Sequence, residues 1–209
     1  APLANPWSKS SISGSLIYSS IDNIQDPRNG IHASFTAEFA GIFGNARFLK
    51  VSGRANYYKQ ISEELDLVGL LVVGGGHVQA LGTPLRVFDY NQANDRIIRG
   101  FAFNGIGPAD AATGDQLGGN TYFHATAEMQ FPLPLLPQSF GMRGAVFADA
   151  ATLFGNALPT AVGTAMVWRA SVGASLIWAS PFGPIRVDYA VPIAKEDYDE
   201  EQRFRFGMS

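Results

Sequence analysis

The sequence predicts an all-β fold, an antiparallel transmembrane β-barrel wall of the bacterial outer-membrane type with about nine strands, on three observations. Apolar and polar residues alternate with a period of two in segments of about ten residues, the length and pattern a tilted membrane strand leaves. Gly, Pro, Asn and Asp separate those segments, and Pro27, Pro84, Pro108, Pro159, Pro181 and Pro192 fall between them, because a sheet interior needs every N–H. One face of the alternation is Ala, Val, Leu, Phe and Trp without charge, while the other carries the Glu, Arg, Lys and Asp that suit a wet lumen. A soluble barrel or sandwich alternates too, and the uncharged apolar face is what argues against it.

Within a single domain, residues 1–209, the strands are expected over 11–20, 30–40, 46–59, 64–76, 119–131, 139–150, 168–179, 184–192 and 202–209, with a long inserted loop over 77–118. The first sets Ile12, Gly14, Leu16 and Tyr18 against Ser11, Ser13, Ser15 and Ser19, and a turn with Pro27 follows. The second opposes Ile31, Ala33, Phe35, Ala37 and Phe39 to His32, Ser34, Thr36 and Glu38, so slipping the register by one would turn every apolar group to the wrong face. The third opposes Leu49, Val51, Ala55 and Tyr57 to Lys50, Ser52, Arg54 and Asn56, and the fourth is more continuously apolar.

The fifth segment puts Tyr122, His124, Thr126 and Glu128 opposite Phe123, Ala125, Ala127 and Met129; the sixth runs to Ala150. In the seventh, Trp168, Val172, Leu176 and Trp178 share a face, and tryptophans ten residues apart suit the two aromatic girdles of a membrane barrel. The eighth opposes Ile185, Val187, Tyr189 and Val191 to Arg186 and Asp188, and the ninth opposes Phe204 and Phe206 to Arg203 and Arg205. Short turns at 60–63 and 179–182 alternate with long loops at 76–118, 151–167 and 192–201, which places the C-terminus on the short-turn, periplasmic side.

Composition narrows the partners. Of 209 residues, 46% are hydrophobic and 16% charged, with a net charge of −3. No apolar run approaches the roughly 20 residues of a spanning helix, and Lys and Arg form no basic run, so nucleic acid is not an expected partner. The chain starts with neither Met nor a basic-then-apolar leader, which reads as a processed or excised segment. Cysteine is absent, and His32, His77 and His124 lie far apart, so no metal or cofactor is expected. No Gly-x-Ser-x-Gly elbow is present, no catalytic residue is assigned, and His124 is expected to hydrogen-bond in the lumen. A membrane lipase is the enzymatic alternative, and it would lose hydrolysis on a Ser substitution.

The long loop stands apart. Arg96-Ile-Ile-Arg99-Gly100-Phe101-Ala-Phe103-Asn104-Gly105-Ile-Gly107-Pro108 combines paired arginines, aromatics and glycines, the make-up of a folded insert. These residues, with Asp115-Gln116-Leu117-Gly118-Gly119-Asn120, resemble the conserved loop and following strand of the BamA family of outer-membrane protein assembly factors. Phe147-Ala148-Asp149, Trp178-Ala179-Ser180-Pro181-Phe182-Gly183-Pro184 and the alternating Phe204 and Phe206 follow in the family's order, and Leu16 to Gly30, with Asp22-Asn23 and Asp26-Pro27-Arg28, resembles an earlier hairpin. The resemblance covers nearly the whole chain.

It implies the C-terminal nine strands or so of a barrel of about sixteen, without the family's N-terminal POTRA repeats and without its final terminal aromatic. It also implies a loop motif Arg99, Gly100 and Phe101 folded into the lumen, with Arg99 paired to Glu128 and Asp149, both on the polar faces of their strands. Losing Arg99 would leave two carboxylates facing each other, at a cost of about 3–5 kcal/mol if well buried.

The function implied is non-enzymatic insertion of barrel proteins into the outer membrane, through a seam at the last strand where Phe204 and Phe206 lie. The partners implied are the lipid bilayer, unfolded outer-membrane protein clients and accessory lipoproteins. Cut from its barrel, the segment has two unpaired edges, so it is expected to close as a small barrel or to self-associate edge to edge. The alternatives are the related autotransporter translocation and assembly factor, which shares the Arg-Gly-aromatic loop, and a passive outer-membrane pore.

Overall fold

The computed structural model describes residues 7–94 and 96–208. One antiparallel sheet contains β1 (Lys9–Ser19), β2 (Gly30–Gly44), β3 (Phe48–Ser62), β4 (Leu67–Ala80), β5 (Thr121–Pro132), β6 (Met142–Phe154), β7 (Arg169–Ser180), β8 (Gly183–Ala194) and β9 (Phe204–Met208), each beside its neighbour in the chain. Strands β1 to β8 run 11 to 15 residues, enough for the 9–11 or so that cross a bilayer at a tilt. No α-helix occurs among the described residues.

Register divides the two faces cleanly. Leu16 lies opposite Phe35, Phe35 opposite Gly53, Tyr57 opposite Leu71, and Leu71 opposite Ala127. These residues and Phe123, Val146, Val172, Leu176, Tyr189, Phe204 and Phe206 point away from the loop-filled face, and the large ones among them are exposed. A soluble barrel would bury that set; here the charged face is covered and the apolar face open, as a membrane wall requires. Trp168, just before β7, and Trp178, near its end, share this outer face. At about 3.3 Å per residue they stand roughly 33 Å apart along the strand.

Several strand ends differ from the sequence expectation. β2, β4 and β6 continue to Gly44, Ala80 and Phe154. In β4 the run Gly74-Gly75-Gly76 reads as a strand end, yet it pairs in register with His124, Phe123 and Tyr122. A Cβ on any of the three would lie within 3.0 Å of the opposing ring, so their absence lets the β5 rings lie flat over β4. The continuous apolar run of β4 also resolves: Val68, Leu70 and Val72 are buried on the inner face, and Leu71 and Val73 are exposed on the outer. Ser209, the expected end of the last strand, lies outside the described residues.

The sheet stays open. β1 and β9 are its two ends and do not pair, so closure into a small barrel, one of the two outcomes expected, does not occur. The reason is the lumen's content. Barrel diameter grows with strand number, and the inner face must accommodate the whole connection between β4 and β5.

On the short-turn side, the Asp22 carboxylate accepts backbone N–H bonds from Arg28, Asn29 and Asn23. Those bonds hold its pKa below the ordinary carboxylate value and fix the turn between β1 and β2. Asp66, at the tip between β3 and β4, pairs with both Arg28 and Arg143, and Arg143 also donates to the Asp66 carbonyl at 2.8 Å. Three segments distant in sequence are thereby tied at one rim.

Candidate functional site

The loop between β4 and β5 carries its own apolar core. Ala93, Ile97, Ile98, Phe101 and Ile106 form one buried cluster with Ala151 and Leu153 of β6, and Tyr122 packs against it. The loop is also knitted to its neighbours by backbone pairing. Gly100–Phe101 lies antiparallel to Glu201–Gln202, and Ala109–Asp110 lies antiparallel to Ala161–Val162. Gln202, expected in the last strand, is therefore spent on the loop instead, and β9 begins at Phe204. Arg205 of β9 donates to the Phe101 carbonyl at 2.8 Å.

Glycine permits the approach. Gly100 has φ +92°, and a Cβ there would lie 3.3 Å from the Cβ atoms of Ala190 and Ser171. Gly107 has φ +101°, and a Cβ there would lie 2.8 Å from Leu153 Cδ2. Gly107→Val combines a left-handed backbone with overpacking, so a loss of about 2–4 kcal/mol is expected. Urea titration of the refolded barrel checks it; an unchanged midpoint would show that the loop does not sit on β6.

This packing delivers Arg99 to the lumenal wall. Its Nε donates to Asp149 Oδ2 at 2.7 Å and its Nη2 to Oδ1 at 2.8 Å, a two-bond fork. Nη1 donates to Glu128 Oε2 at 2.8 Å, and the Arg99 backbone N–H donates to Asp149 Oδ2 at 3.0 Å. The guanidinium carbon stands 3.4 Å from the centroid of the Phe147 ring, a stacked cation–π contact. Burial works against the Arg99 charge, but the hydrogen bonds and fields of Asp149 and Glu128 outweigh it and raise its pKa further above the ordinary value.

The wall itself is a network. Thr126 Oγ1 donates to Asp149 Oδ1 at 2.9 Å, and Gln130 Nε2 donates to Glu128 Oε1 at 2.9 Å. Arg186 of β8 donates to Glu128 through Nη1 at 3.1 Å and Nη2 at 2.7 Å, and to Asp188 through Nε at 2.8 Å. Ser175 of β7 hydrogen-bonds Asp188 and accepts from Arg186. Two guanidinium groups thus bind three carboxylates, and one loop residue is held by groups linked across β5, β6, β7 and β8.

Arg99, Glu128 and Asp149, far apart in sequence, meet in one buried cluster, with Gly100 and Phe101 seated beside it. Phe204 and Phe206 do not join it; they lie on the outer face of β9. Sequence reasoning missed Phe147, Arg186, Asp188 and Ser175 as members. Their signal was parity: Phe147 stands two residues before Asp149, and Arg186 and Asp188 share the polar face of β8. His124 is buried and stacks on Tyr122 at 6.2 Å, and its Nδ1 makes no hydrogen bond to a described protein group, unlike the lumenal role expected for it. Gly74, opposite it on β4, leaves the ring room to lie flat but offers it no polar side chain.

A single-sheet wall with an apolar outer face, a charged inner face and a long loop clamped inside defines an outer-membrane-type β-barrel protein. Residues 3–209 match the Omp85 superfamily domain, and the chain belongs to that superfamily. It is 35% identical over 200 residues to the outer membrane protein assembly factor BamA of Neorickettsia risticii, covering 95% of this chain and 27% of the relative. The BamA of Neisseria meningitidis serogroup B is 24% identical over 208 residues, covering 87% of this chain and 26% of that protein. The crystal structure of BamA from Haemophilus ducreyi lacking POTRA domains 1–3 superposes with a TM-score of 0.84 at 25% identity, covering 94% of this chain and 41% of that one. The chain thus spans about a quarter of the length of these two curated relatives.

Proposed function

We propose that the chain is the C-terminal part of the barrel of an outer-membrane protein assembly factor, which folds and inserts other β-barrels without bond-making chemistry. The observation that carries this reading is the Arg99 clamp on Asp149 and Glu128, in a chain 35% identical to a named assembly factor. A passive pore gains nothing from an insert with its own apolar core, bound to the wall by charge.

The mechanism rests on the contrast between a rigid wall and a weak end. β5 to β8 are locked by the network, whereas β9 pairs with β8 over five residues and, among the described residues, has no strand neighbour on its other side. The edge of β9 that faces away from β8 can template an incoming client strand by β-augmentation. Main-chain hydrogen bonds supply the affinity, and Phe204 and Phe206 turn the new strand's apolar side to lipid. In this reading the short-turn side and the C-terminus are periplasmic, and clients and accessory lipoproteins approach from there. The same free edges make edge-to-edge self-association the expected side reaction of an isolated copy.

Photocrosslinking tests it. A crosslinkable residue at Arg205 or Gly207 in the full-length protein is expected to trap outer-membrane barrel precursors during their synthesis. Absence of client adducts there, with normal outer-membrane protein levels after depletion of the protein, would contradict the reading.

A further inference from the structure

The outer face of β3 to β6 carries a groove of about 560 Å³ near the short-turn rim. It is lined by Ala127, Tyr57, Leu71 and Met129, with the Ile61 side chain lying over Gly69. Register fixes its side of the sheet: Lys59 lies opposite Gly69, Gly69 opposite Met129, and Met129 opposite Val146, a row whose side chains all face outward. The lumenal Arg99 site is on the other side of the same strands.

Lys59 is out of place on an apolar membrane face. In the nine-stranded sheet, every other Lys and Arg of the described residues takes an inward position, whereas Lys59 is exposed at the groove's rim. No described carboxylate lies within ion-pair distance of it. The side chain sits three residues before the end of β3 at Ser62, close enough to the rim for its ammonium to snorkel to headgroup level. Beyond it, in the turn, Glu63 and Glu64 are exposed and make no ion pair among the described residues. From bilayer to water the order is therefore apolar groove, cation, paired anions.

We propose that this groove binds one phospholipid of the short-turn leaflet whose headgroup carries a phosphate and a primary amine. An acyl chain lies along the trough over Ala127, beside the Ile61 side chain that covers Gly69, the phosphate meets Lys59, and the amine reaches outward to Glu63 and Glu64. A purely anionic headgroup would satisfy Lys59 and face two carboxylates unpaired; the zwitterion matches both signs. The proposal rests on the outer face lying in the bilayer.

Native mass spectrometry of the full-length protein, equilibrated with equal amounts of phosphatidylethanolamine and phosphatidylglycerol, reads the site directly. Phosphatidylethanolamine is expected to be retained in preference. Lys59→Gln, and Ala127→Leu, which fills the trough, are each expected to lower that retention about fivefold. Glu63→Gln with Glu64→Gln should abolish the preference over phosphatidylglycerol. Unchanged retention in both Lys59→Gln and Ala127→Leu, or a wild-type preference for phosphatidylglycerol, would overturn the proposal. So would a lipid-independent dimer lost in Ala127→Leu, since a second copy would then cover the groove. A cysteine at Tyr57 separates the two levels of failure: if an impermeant maleimide labels it in vesicles as fast as a loop cysteine, the membrane placement itself fails.

Discussion

Replacing Arg99 by alanine is expected to lower the stability of the refolded barrel by about 3–5 kcal/mol, because Asp149 would stay buried with only Thr126 and one backbone N–H as donors. Glu128 would fare better, since Arg186 still binds both its oxygens. The loss should therefore express itself around Asp149 and the loop more than around β8. Arg99→Lys keeps the charge but loses the two-bond fork and the flat stack on Phe147, and should recover less than half of the loss. The test is urea-induced unfolding of full-length protein in lipid vesicles, followed by the gel shift between folded and unfolded barrel. A midpoint unchanged in Arg99→Ala would mean that the cluster contributes nothing to holding the loop.

The second large effect is expected at Arg169, the largest of the fully buried side chains among the described residues. It binds Asp199 through Nε at 2.9 Å and Nη2 at 3.0 Å, with both side chains fully covered, and its Nη1 caps the Val167 carbonyl at 3.0 Å. Arg169→Leu strands a buried carboxylate, at a cost of roughly 3–5 kcal/mol. The damage should spread along one route. Asp199 also accepts the Glu196 N–H and so shapes the connection from β8 to β9. That connection supplies Glu200, Glu201 and Gln202, which pair with the Arg99 loop. Faster tryptic cleavage at Lys195 and Arg203 is the expected readout. Arg169→Leu with Asp199→Leu should regain much of the loss, because it removes both charges together. Equal cleavage in wild type and Arg169→Leu would disconnect this pair from the loop.

The fold was legible wherever one face meets lipid and the other water. In β2, β5 and β7 the alternation of residues such as Phe35 with Thr36, or Phe123 with His124, specifies strand, face and register together. Legibility fades where that rule is relaxed. The β4 glycines read as a terminus because a glycine has no face, although their pairing with the β5 rings makes them interior. Gln202 read as part of the last strand because parity continues through it, although its backbone partner is Gly100, about a hundred residues away.

The site divides in the same way. Glu128 and Asp149 were placed by parity and Arg99 by its motif, since each sits in a local pattern. Arg186 and Asp188 were visible as lumenal, but nothing in the sequence of β8 states that it curves close enough to reach Glu128 on β5. Sheet curvature is a property of all the strands together. Phe147 was hidden for another reason: an aromatic in a lumen reads as packing until the cation above it is known.

The account's central claim is that the long loop is held inside the barrel by the charge pair between Arg99 and Asp149. The most direct test is a double-mutant cycle of Arg99→Ala, Asp149→Ala and their combination, by urea unfolding of the full-length protein in vesicles. Direct contact predicts that the double variant is more stable than the sum of the single losses implies, with a coupling of at least about 2 kcal/mol. Single losses that simply add would show that the two side chains do not hold each other, and that the loop is kept in place by something else.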